Sequence, residues 1–321
     1  MSKYRKIDLS KIKTHSVRRR KSKTHVKNFG KPLPPHSGIS DFLKSLPKCL
    51  KAEDIRSLVN LILSAKRNKK PIILMLGAHP IKCGLSPILI DLMQRGFVTL
   101  LSTSGAGAIH DVETAFWGKT SEEVQEGLED GSFGMAKETA EIFNEISTFA
   151  CQEDMGLGEA IGKRISQLKP RFRKHSLLAS AYRLNIPACV HVALGTDIVH
   201  QHPNFDAAST GKASYTDFKI LAAQVARLND GGVVLHFGSA VVLPEVFLKA
   251  LSVARNIRGK VQNFTTANFD MIQHYRPNVN VVLRPTQKSG KGFSFTGHHE
   301  IMIPLLAWAL KSADQSKQKR R

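Results

Sequence analysis

The sequence has few cysteines and no long hydrophobic run, and each shortage excludes a class of protein. Its four cysteines, Cys49, Cys83, Cys151 and Cys189, include no CxxC pair and no zinc-ribbon spacing, which predicts free thiols in a reducing compartment. The longest apolar stretches, such as Pro71–Leu76, are far shorter than the roughly 20 residues that span a bilayer, and none has the flanks of a signal peptide. We therefore predict a soluble, cytoplasmic protein without a membrane partner.

Acidic residues are also scarce, with 26 Asp and Glu against 47 Lys and Arg, and the net charge is +21 at pH 7. Residues 1–31 carry twelve basic residues against one acid, and residues 311–321 carry five against one, which leaves +6 for the chain between them. The prolines of Lys31-Pro-Leu-Pro-Pro35 exclude a regular helix there. The composition predicts a basic arm over 1–38, a body over 39–310 and a basic tail over 311–321.

The body alternates apolar strands with amphipathic helices. Strands are predicted at 71–76, 98–102, 188–193, 233–237 and 279–283, and helical patterns at 41–48, 52–68, 85–94, 109–116, 135–150, 156–167, 174–184, 214–229 and 244–257. With 42% hydrophobic residues, the chain is too apolar to be disordered throughout. Alternating strands and helices predict an α/β fold, a Rossmann-like, doubly wound and mostly parallel sheet with helices on both faces.

Small residues with one or two polar groups follow each of four strands: Gly-Ala-His-Pro, Thr-Ser-Gly-Ala-Gly, Gly-Thr-Asp and Phe-Gly-Ser-Ala. In a parallel sheet, ligands bind beyond the carboxyl ends of the strands, and glycines allow a ligand to approach the backbone. Neither GxGxxG nor a P-loop is present. The four turns favour a nucleotide ligand, although each taken alone is equally explained as a tight strand-to-helix turn.

Four segments resemble the deoxyhypusine synthase family, in its divergent deoxyhypusine synthase-like branch. They are Leu100–Asp111 (LLSTSGAGAIHD), Asn185–Asp197 (NIPACVHVALGTD), Thr265–Asp270 (TTANFD) and Ile303–Leu306 (IPLL), and the similarity covers about residues 55–310. The resemblance implies a Rossmann-like fold, a homotetramer and NAD as cofactor. In that family NAD oxidises spermidine, and the aminobutyl group passes through an imine on a lysine to a translation factor.

The resemblance also implies which positions bind ligands. Cofactor contacts are expected from Pro80, Ile81, Lys82, Thr103, Ser104, Gly105, Asp197, Gly238, Ser239, Thr266, Ala267, Gly297 and His298. His110 falls at a substrate-side position and is the expected base, and Asp270 falls on an acid that would hold an ammonium group. With Asp197 and Glu113, Asp270 would anchor a cationic amine substrate.

The lysine that forms the imine in the family has no match, because its Trp-Gly-Lys segment is replaced by Asn280–Thr286 (NVVLRPT). The nearest lysines are Lys288 and Lys291, which flank Gly290 in a Ser/Gly loop. An imine needs an amine whose pKa is lowered by desolvation or by a neighbouring cation. Lys288 and Lys291 are therefore the candidate catalytic lysines, with solvated loop residues as the alternative.

Two histidine clusters and one polar segment offer other chemistry. His200-Gln-His202 and His298-His299-Glu300 contain possible metal ligands, but neither matches HExxH, so we predict no metal site and a hydrogen-bonding role for His298. For His110 the alternative is a helix-capping role. The segment 205–218 is interpreted as a substrate loop in which Lys212, Ser214, Tyr215 or Asp217 faces the crevice.

These observations favour a deoxyhypusine synthase-like transferase that oxidises a polyamine-type amine with NAD and transfers its aminoalkyl group. Two alternatives remain. One is an NAD-binding protein without transferase activity. The other is a nucleic-acid-associated protein acting through its basic tails, although the arm offers only Tyr4 and Phe29 for stacking on bases.

Overall fold

The computed structural model describes residues 2–318, with side chains described through Gln315. Within this range, six parallel strands form one sheet in the order β3-β2-β1-β4-β5-β6. They are β1 (Ile72–Leu76), β2 (Leu100–Ser104), β3 (Ala188–His191), β4 (Val233–Phe237), β5 (Thr265–Asp270) and β6 (Lys291–Thr296). This is the doubly wound α/β fold predicted from the sequence.

Helices cover both faces of the sheet. They are α1 (Ile39–Ser45), α2 (Leu50–Arg67), α3 (His79–Lys82), α4 (Ser86–Gln94), α5 (Gly105–Trp117), α6 (Val124–Asp130), α7 (Lys137–Gln152), α8 (Leu157–Leu168), α9 (Leu177–Arg183), α10 (Ala207–Val225), α11 (Val242–Arg258), α12 (Arg284–Thr286) and α13 (His299–Gln318). None of the helices in the described range is long and apolar enough to cross a membrane.

The alternation of side chains along β1 divides the core into two layers. Ile72, Leu74 and Leu76 pack with residues of α2, α4, α5 and α13, whereas Ile73 and Met75 pack with α10 and α11. Every residue of β1 and β4 is buried, as expected for central strands of a parallel sheet that is covered on both faces. The apolar character of β1, and of β4 apart from His236, therefore has a direct structural reason.

The strand predicted at 279–283 is wrong. Pro277–Leu283 is a wide helical turn of π type, and the chain instead forms β5 and β6, which the sequence reading did not assign as strands. A short apolar run does not distinguish a helix from a strand, and Pro277 suits the first turn of a helix. In β6 the buried Phe293 and Phe295 alternate with residues that retain exposure, so the strand carries too few apolar residues to stand out.

The ends of the body differ from the predicted boundaries. Residues 2–31 lie almost wholly exposed, with three short 3-10 turns, Leu9–Lys11, Val17–Arg19 and Val26–Asn28. At the other end, α13 runs through residue 310 without a break. Lys311 bonds Asp91 at 2.7 Å and Asp314 pairs with Lys66 at 2.6 Å, so the body extends at least to Asp314. Residues 319–321 of the predicted tail lie outside the described residues.

Asp217 fastens α10 to the sheet and is not part of a substrate loop, because residues 207–225 form a helix. Its Oδ2 accepts hydrogen bonds from Val190 N at 2.8 Å and Gly158 N at 2.9 Å, while its buried Oδ1 has no partner. Burial, outweighing these hydrogen bonds, raises the pKa of Asp217 to about 8. The carboxyl group is therefore protonated at neutral pH, which suits its unpartnered oxygen.

This protonation predicts how stability depends on pH. The ordinary pKa of Asp217 is 3.8 and its folded value is about 8, so its stabilising contribution is complete below the ordinary value and disappears as the pH rises through 8. We expect the free energy of unfolding of the wild type to fall by about 1 kcal/mol from this group between pH 7 and 8. Asp217→Asn, which mimics the protonated acid, should remove that decline in urea-unfolding measurements. An equal decline in the variant would contradict this assignment.

Candidate functional site

The turns after β1 and β4 meet at the centre of the sheet, where the strand order reverses direction. In such sheets this switch point is where dinucleotides bind. Gly77 N donates to Phe237 O at 2.9 Å, and a Cβ on Gly77 would lie 2.1 Å from Gly238 O. Gly238 has a φ of +61°, which strongly favours glycine. The two turns therefore pack backbone against backbone.

The next turn, α3, connects this switch point to a cavity. Pro80 and Ile81 are buried and support the turn, whereas Lys82 is exposed and lines the cavity. Of the three cofactor contacts predicted here, Lys82 is therefore the one whose side chain faces open space.

The cavity has a volume of about 660 Å³ and lies beyond the carboxyl ends of β2 and β3. Its lining combines acidic, basic and apolar side chains, including Lys82, Ile109, His110, Glu113, Trp117, Lys119, Thr120, Glu122, Phe133, Glu138, Thr139, Asp197 and Ile198. Four of these residues are carboxylic acids and two are lysines. In a body of net charge +6, this is a local excess of acid, which favours a cationic ligand.

A chain of hydrogen bonds orients His110 in this cavity. Thr120 Oγ1 donates to Glu113 Oε2 at 2.5 Å, and His110 Nδ1 lies 2.6 Å from the same hydroxyl. Because the single hydroxyl proton goes to Glu113, Nδ1 must be the donor to Thr120. In the neutral ring, Nε2 then carries the lone pair. His110 thus has the tautomer of a proton acceptor, with Glu113 behind it.

Glu113 is held ionised by its neighbours. It accepts a second hydrogen bond, from Thr139 Oγ1 at 3.0 Å. Burial acts to raise the pKa of Glu113, but hydrogen bonds from His110, Thr120 and Thr139 and the charge of His110 hold it below its ordinary value. An ionised Glu113 stabilises the positive charge that His110 gains when it takes a proton.

Asp197 lies against the first turn of α5. A Cβ on Gly105 would lie 1.9 Å from Asp197 Oδ2, so only glycine permits this approach. Burial raises the pKa of Asp197 to about 6, although the Ala106 N–H and the nearby His110 lower it. Asp197 therefore offers the cavity a buried carboxylate that is charged above about pH 6.

Other predicted residues lie near the switch point and the cavity but do not line the cavity. Thr103 Oγ1 donates to Leu76 O at 2.8 Å, and Ser104 Oγ accepts from Gly107 N at 3.3 Å, so both shape the turn into α5. Asp270 is buried at the end of β5, and Gly297 and His298 follow β6. Thr103 and Ser104 lie at the end of β2, a strand that the sequence predicts. Asp270, Gly297 and His298 lie at or after the ends of β5 and β6, which it does not predict.

Four predicted residues do not reach this edge. Thr266 and Ala267 are fully buried near the start of β5 and have no exposed surface with which to contact a cofactor. Lys291 begins β6 opposite Thr265, and Lys288 precedes it in the loop, so both lie at the amino ends of the strands. The length of β6 separates them from the crevice by roughly 17 Å. The structure therefore does not support an imine role for these lysines in this crevice.

Thr120 and Thr139 are site residues that the sequence does not indicate, because no motif marks a neutral threonine in the connection after α5 or in the first turn of α7. The histidines of the other cluster have structural partners. His200 Nδ1 accepts from Gly195 N at 3.0 Å and from Asp197 N at 3.1 Å, and His202 Nε2 lies 2.8 Å from Gly134 O. These contacts orient both rings within the loop that follows β3.

No family model and no curated protein matches the chain. Solved structures share its fold at low identity. One is a conserved putative LOR/SDH protein from Methanococcus maripaludis S2 (TM-score 0.53, 14% identity, 88% of this chain and 74% of that chain). Another is AgrE, solved with ornithine and NAD+ (0.53, 12%, 82% and 33%). A third is a putative deoxyhypusine synthase from Entamoeba histolytica (0.52, 11%, 88% and 96%).

The chain spans about one third of the AgrE chain, and a similar share of a cyanobacterial arginine dihydrolase, ArgZ, that it also matches. At identities of 11–15%, these likenesses show a common fold. The match extends over 96% of the chain of the putative deoxyhypusine synthase.

Proposed function

We propose that this protein is an NAD-dependent enzyme that oxidises a cationic, polyamine-type amine and passes its aminoalkyl group to an acceptor amine. The observation that carries the proposal is the cavity in which His110, oriented through Thr120 by Glu113, lies among carboxylic acids. The fold likeness to a deoxyhypusine synthase and to AgrE, whose structure contains ornithine and NAD+, supports the same class of substrate and cofactor.

The residues at the switch point fit a dinucleotide. Gly77 allows the turns after β1 and β4 to pack backbone against backbone, Gly238 takes a positive φ, and the Ser104-Gly105 turn opens α5 beside them. We assign cofactor binding to these turns, with Lys82, Ser239 and Asp197 beside them. Bound NAD would supply the hydride acceptor for the carbon that carries the amine.

The side chains of the cavity divide the remaining work. Ionised Asp197 and the other carboxylates hold the ammonium groups of the substrate. His110 Nε2 takes the proton that the reacting nitrogen loses as hydride leaves its neighbouring carbon, which gives an imine and a proton on His110. An acceptor amine then adds to the imine carbon and the original amine departs, which leaves an imine on the acceptor. Return of the hydride from the reduced cofactor to this imine would give the transferred aminoalkyl group and restore NAD. When water takes the place of the acceptor, the product is an aldehyde.

The experiment that tests the proposal is a single turnover with stoichiometric enzyme, NAD and one amine at a time, without acceptor. Spermidine, putrescine and ornithine provide cationic substrates, and n-butanol provides an uncharged control. The proposal predicts reduced nicotinamide with at least one of the cationic amines and none with the alcohol. NAD-induced thermal stabilisation without reduction by any amine would instead indicate the non-catalytic NAD-binding alternative.

Asp197 gives this activity a specific pH dependence. Its pKa of about 6 lies above the ordinary value of 3.8, so the carboxylate that attracts the amine forms as the pH rises through 6. We expect kcat/KM to rise through that pH in the wild type. Asp197→Asn should raise KM by about 10- to 100-fold and reduce this rise. Asp154→Asn, an exposed acid outside the cavity, is the control, and a wild-type pH profile in Asp197→Asn would contradict the assignment.

A second candidate function, binding of nucleic acid by the arm, is favoured by the exposure of all twelve basic side chains in residues 2–31. Such binding would weaken steeply as salt rises and would be lost on deletion of residues 1–31.

The homotetramer implied by the family resemblance also stays a prediction, which light scattering tests.

A further inference from the structure

Three metal-ligating side chains lie together beside the switch point. His79 and Cys83 are four residues apart on the helical turn after β1, which places them on one face. Glu300 comes from the first turn of α13, 217 residues after Cys83. The sequence places Glu300 only beside His298 and His299, in a cluster that predicts no metal site. The fold instead brings Glu300 to two residues that the sequence gives no reason to associate with it.

The spacing of the ligand atoms fits one small ion. Cys83 Sγ lies 3.3 Å from His79 Nε2 and 4.0 Å from Glu300 Oε2, and the three ligand atoms all lie within 4.8 Å of one another. In a tetrahedral zinc site, bonds of about 2.0–2.3 Å separate the ligand atoms by roughly 3.3–3.8 Å. One pair is already at this spacing, and a small rotation of the half-exposed Glu300 would close the other two.

A buried acceptor next to the cluster also lacks a partner. The side chain of His299 is fully buried, and its Nε2 lies 3.1 Å from Phe269 O, to which it must donate because a carbonyl oxygen only accepts. Its Nδ1 therefore carries a lone pair, and that atom has no partner. The ring centroid of His299 lies 5.6 Å from that of His79.

We propose that His79 Nε2, Cys83 Sγ and Glu300 Oε2 bind a divalent transition-metal ion of the zinc class, with one coordination position left open. A thiolate and an imidazole select such an ion over Mg²⁺ or Ca²⁺, which prefer oxygen ligands. Three protein ligands with an open fourth position are typical of zinc sites that bind water or a substrate group. On binding, the Cys83 thiol releases its proton to solvent, so the affinity increases with pH.

Cobalt(II) absorption tests the site directly, because thiolate-bound Co²⁺ gives a charge-transfer band and tetrahedral Co²⁺ gives visible bands. The full-length protein, purified with a phosphine reductant and stripped with a chelator, is titrated with Co²⁺ and then with Zn²⁺. We expect both sets of bands to reach a maximum at one Co²⁺ per chain and to disappear on displacement by Zn²⁺. The absence of a thiolate band in the wild type would overturn the proposal.

Cys83→Ser should lose the charge-transfer band, while Cys151→Ser, which changes a free cysteine of similar burial on α7, should keep it. His79→Gln should lose the tetrahedral visible bands. Far-UV circular dichroism checks that each variant is folded. If Cys83→Ser does not fold, Cys83→Ala is used in its place. A thiolate band that persists in the folded Cys83 variant, or one that disappears in Cys151→Ser, would place the metal elsewhere and refute the assignment.

Discussion

We expect His110→Gln to lower the rate of amine-dependent NAD reduction by about 10²- to 10⁴-fold, which is the usual contribution of a positioned general base. Glutamine keeps a polar side chain next to Thr120 but cannot take a proton from the substrate. Because His110 lies in the cavity and not at the Gly77–Gly238 switch point, NAD-induced thermal stabilisation should be unchanged. Stopped-flow measurement of nicotinamide reduction separates the chemical step from cofactor binding.

The matched control is His175→Gln, because His175 lies in the short turn Arg173–His175 and does not line the cavity. It should retain the wild-type rate. A His110 variant that reduces NAD as fast as the wild type would remove the proton acceptor from the proposed function. Equal losses in both variants would indicate a general effect of histidine removal on folding.

Asp111→Ala should cost about 3–5 kcal/mol of unfolding free energy, the largest stability effect that we expect from one substitution. Asp111 is fully buried and joins α5 to the start of α9. It accepts hydrogen bonds from Ser176 Oγ at 2.5 Å, Leu177 N at 2.7 Å and Leu178 N at 3.2 Å. Alanine leaves these three buried donors without an acceptor, and two of them begin a helix.

Urea unfolding monitored by circular dichroism measures this cost. Asp91→Ala is the control, because Asp91 pairs with Lys311 and Arg95 at a partly exposed site, where an ion pair contributes about 1 kcal/mol or less. If Asp111→Ala lowers the unfolding free energy no more than Asp91→Ala does, the buried hydrogen bonds of Asp111 do not stabilise the fold as we expect.

His110 and Asp111 show how far the sequence could predict the site. The pair lies in the segment Leu100–Asp111, which follows a recognisable strand, so its position near the carboxyl edge was predictable. The sequence could not show that the neighbours face opposite ways. In the structure, α5 turns His110 toward the cavity and Asp111 toward α9. Adjacent residues on a helix point about 100° apart, so their roles depend on how the helix packs.

Some strands of the sheet could be predicted from the sequence and others could not. β1 and β4 are buried on both faces and, apart from His236 of β4, consist of apolar residues, so they could be predicted almost to the residue. β5 begins Thr-Thr-Ala-Asn, and its Asn268 is buried beside His236, a polar pair that no apolar pattern indicates. The position of Lys291 depends on β6, so the distance of that lysine from the crevice could not be known before β6 was placed.

The residues around His110 were predictable only in part. His110 and Asp197 follow strands and belong to recognisable segments, whereas Thr120 lies in the connection after α5 and Thr139 lies in the first turn of α7. The hydrogen bonds from these threonines to Glu113 arise only when that connection folds back over α5. A sequence pattern predicts which strand ends are close, but it does not predict how a long connection covers them.

Transfer of deuterium from the substrate to the cofactor is the measurement that tests the central claim most directly. An amine deuterated at the carbon next to its reacting nitrogen is mixed with stoichiometric enzyme and NAD, and the quenched cofactor is examined by mass spectrometry. The proposed function predicts reduced nicotinamide that carries one deuterium, at wild-type level in His175→Gln and at a strongly reduced level in His110→Gln. Reduced cofactor without deuterium, or no reduced cofactor with any cationic amine, would contradict it.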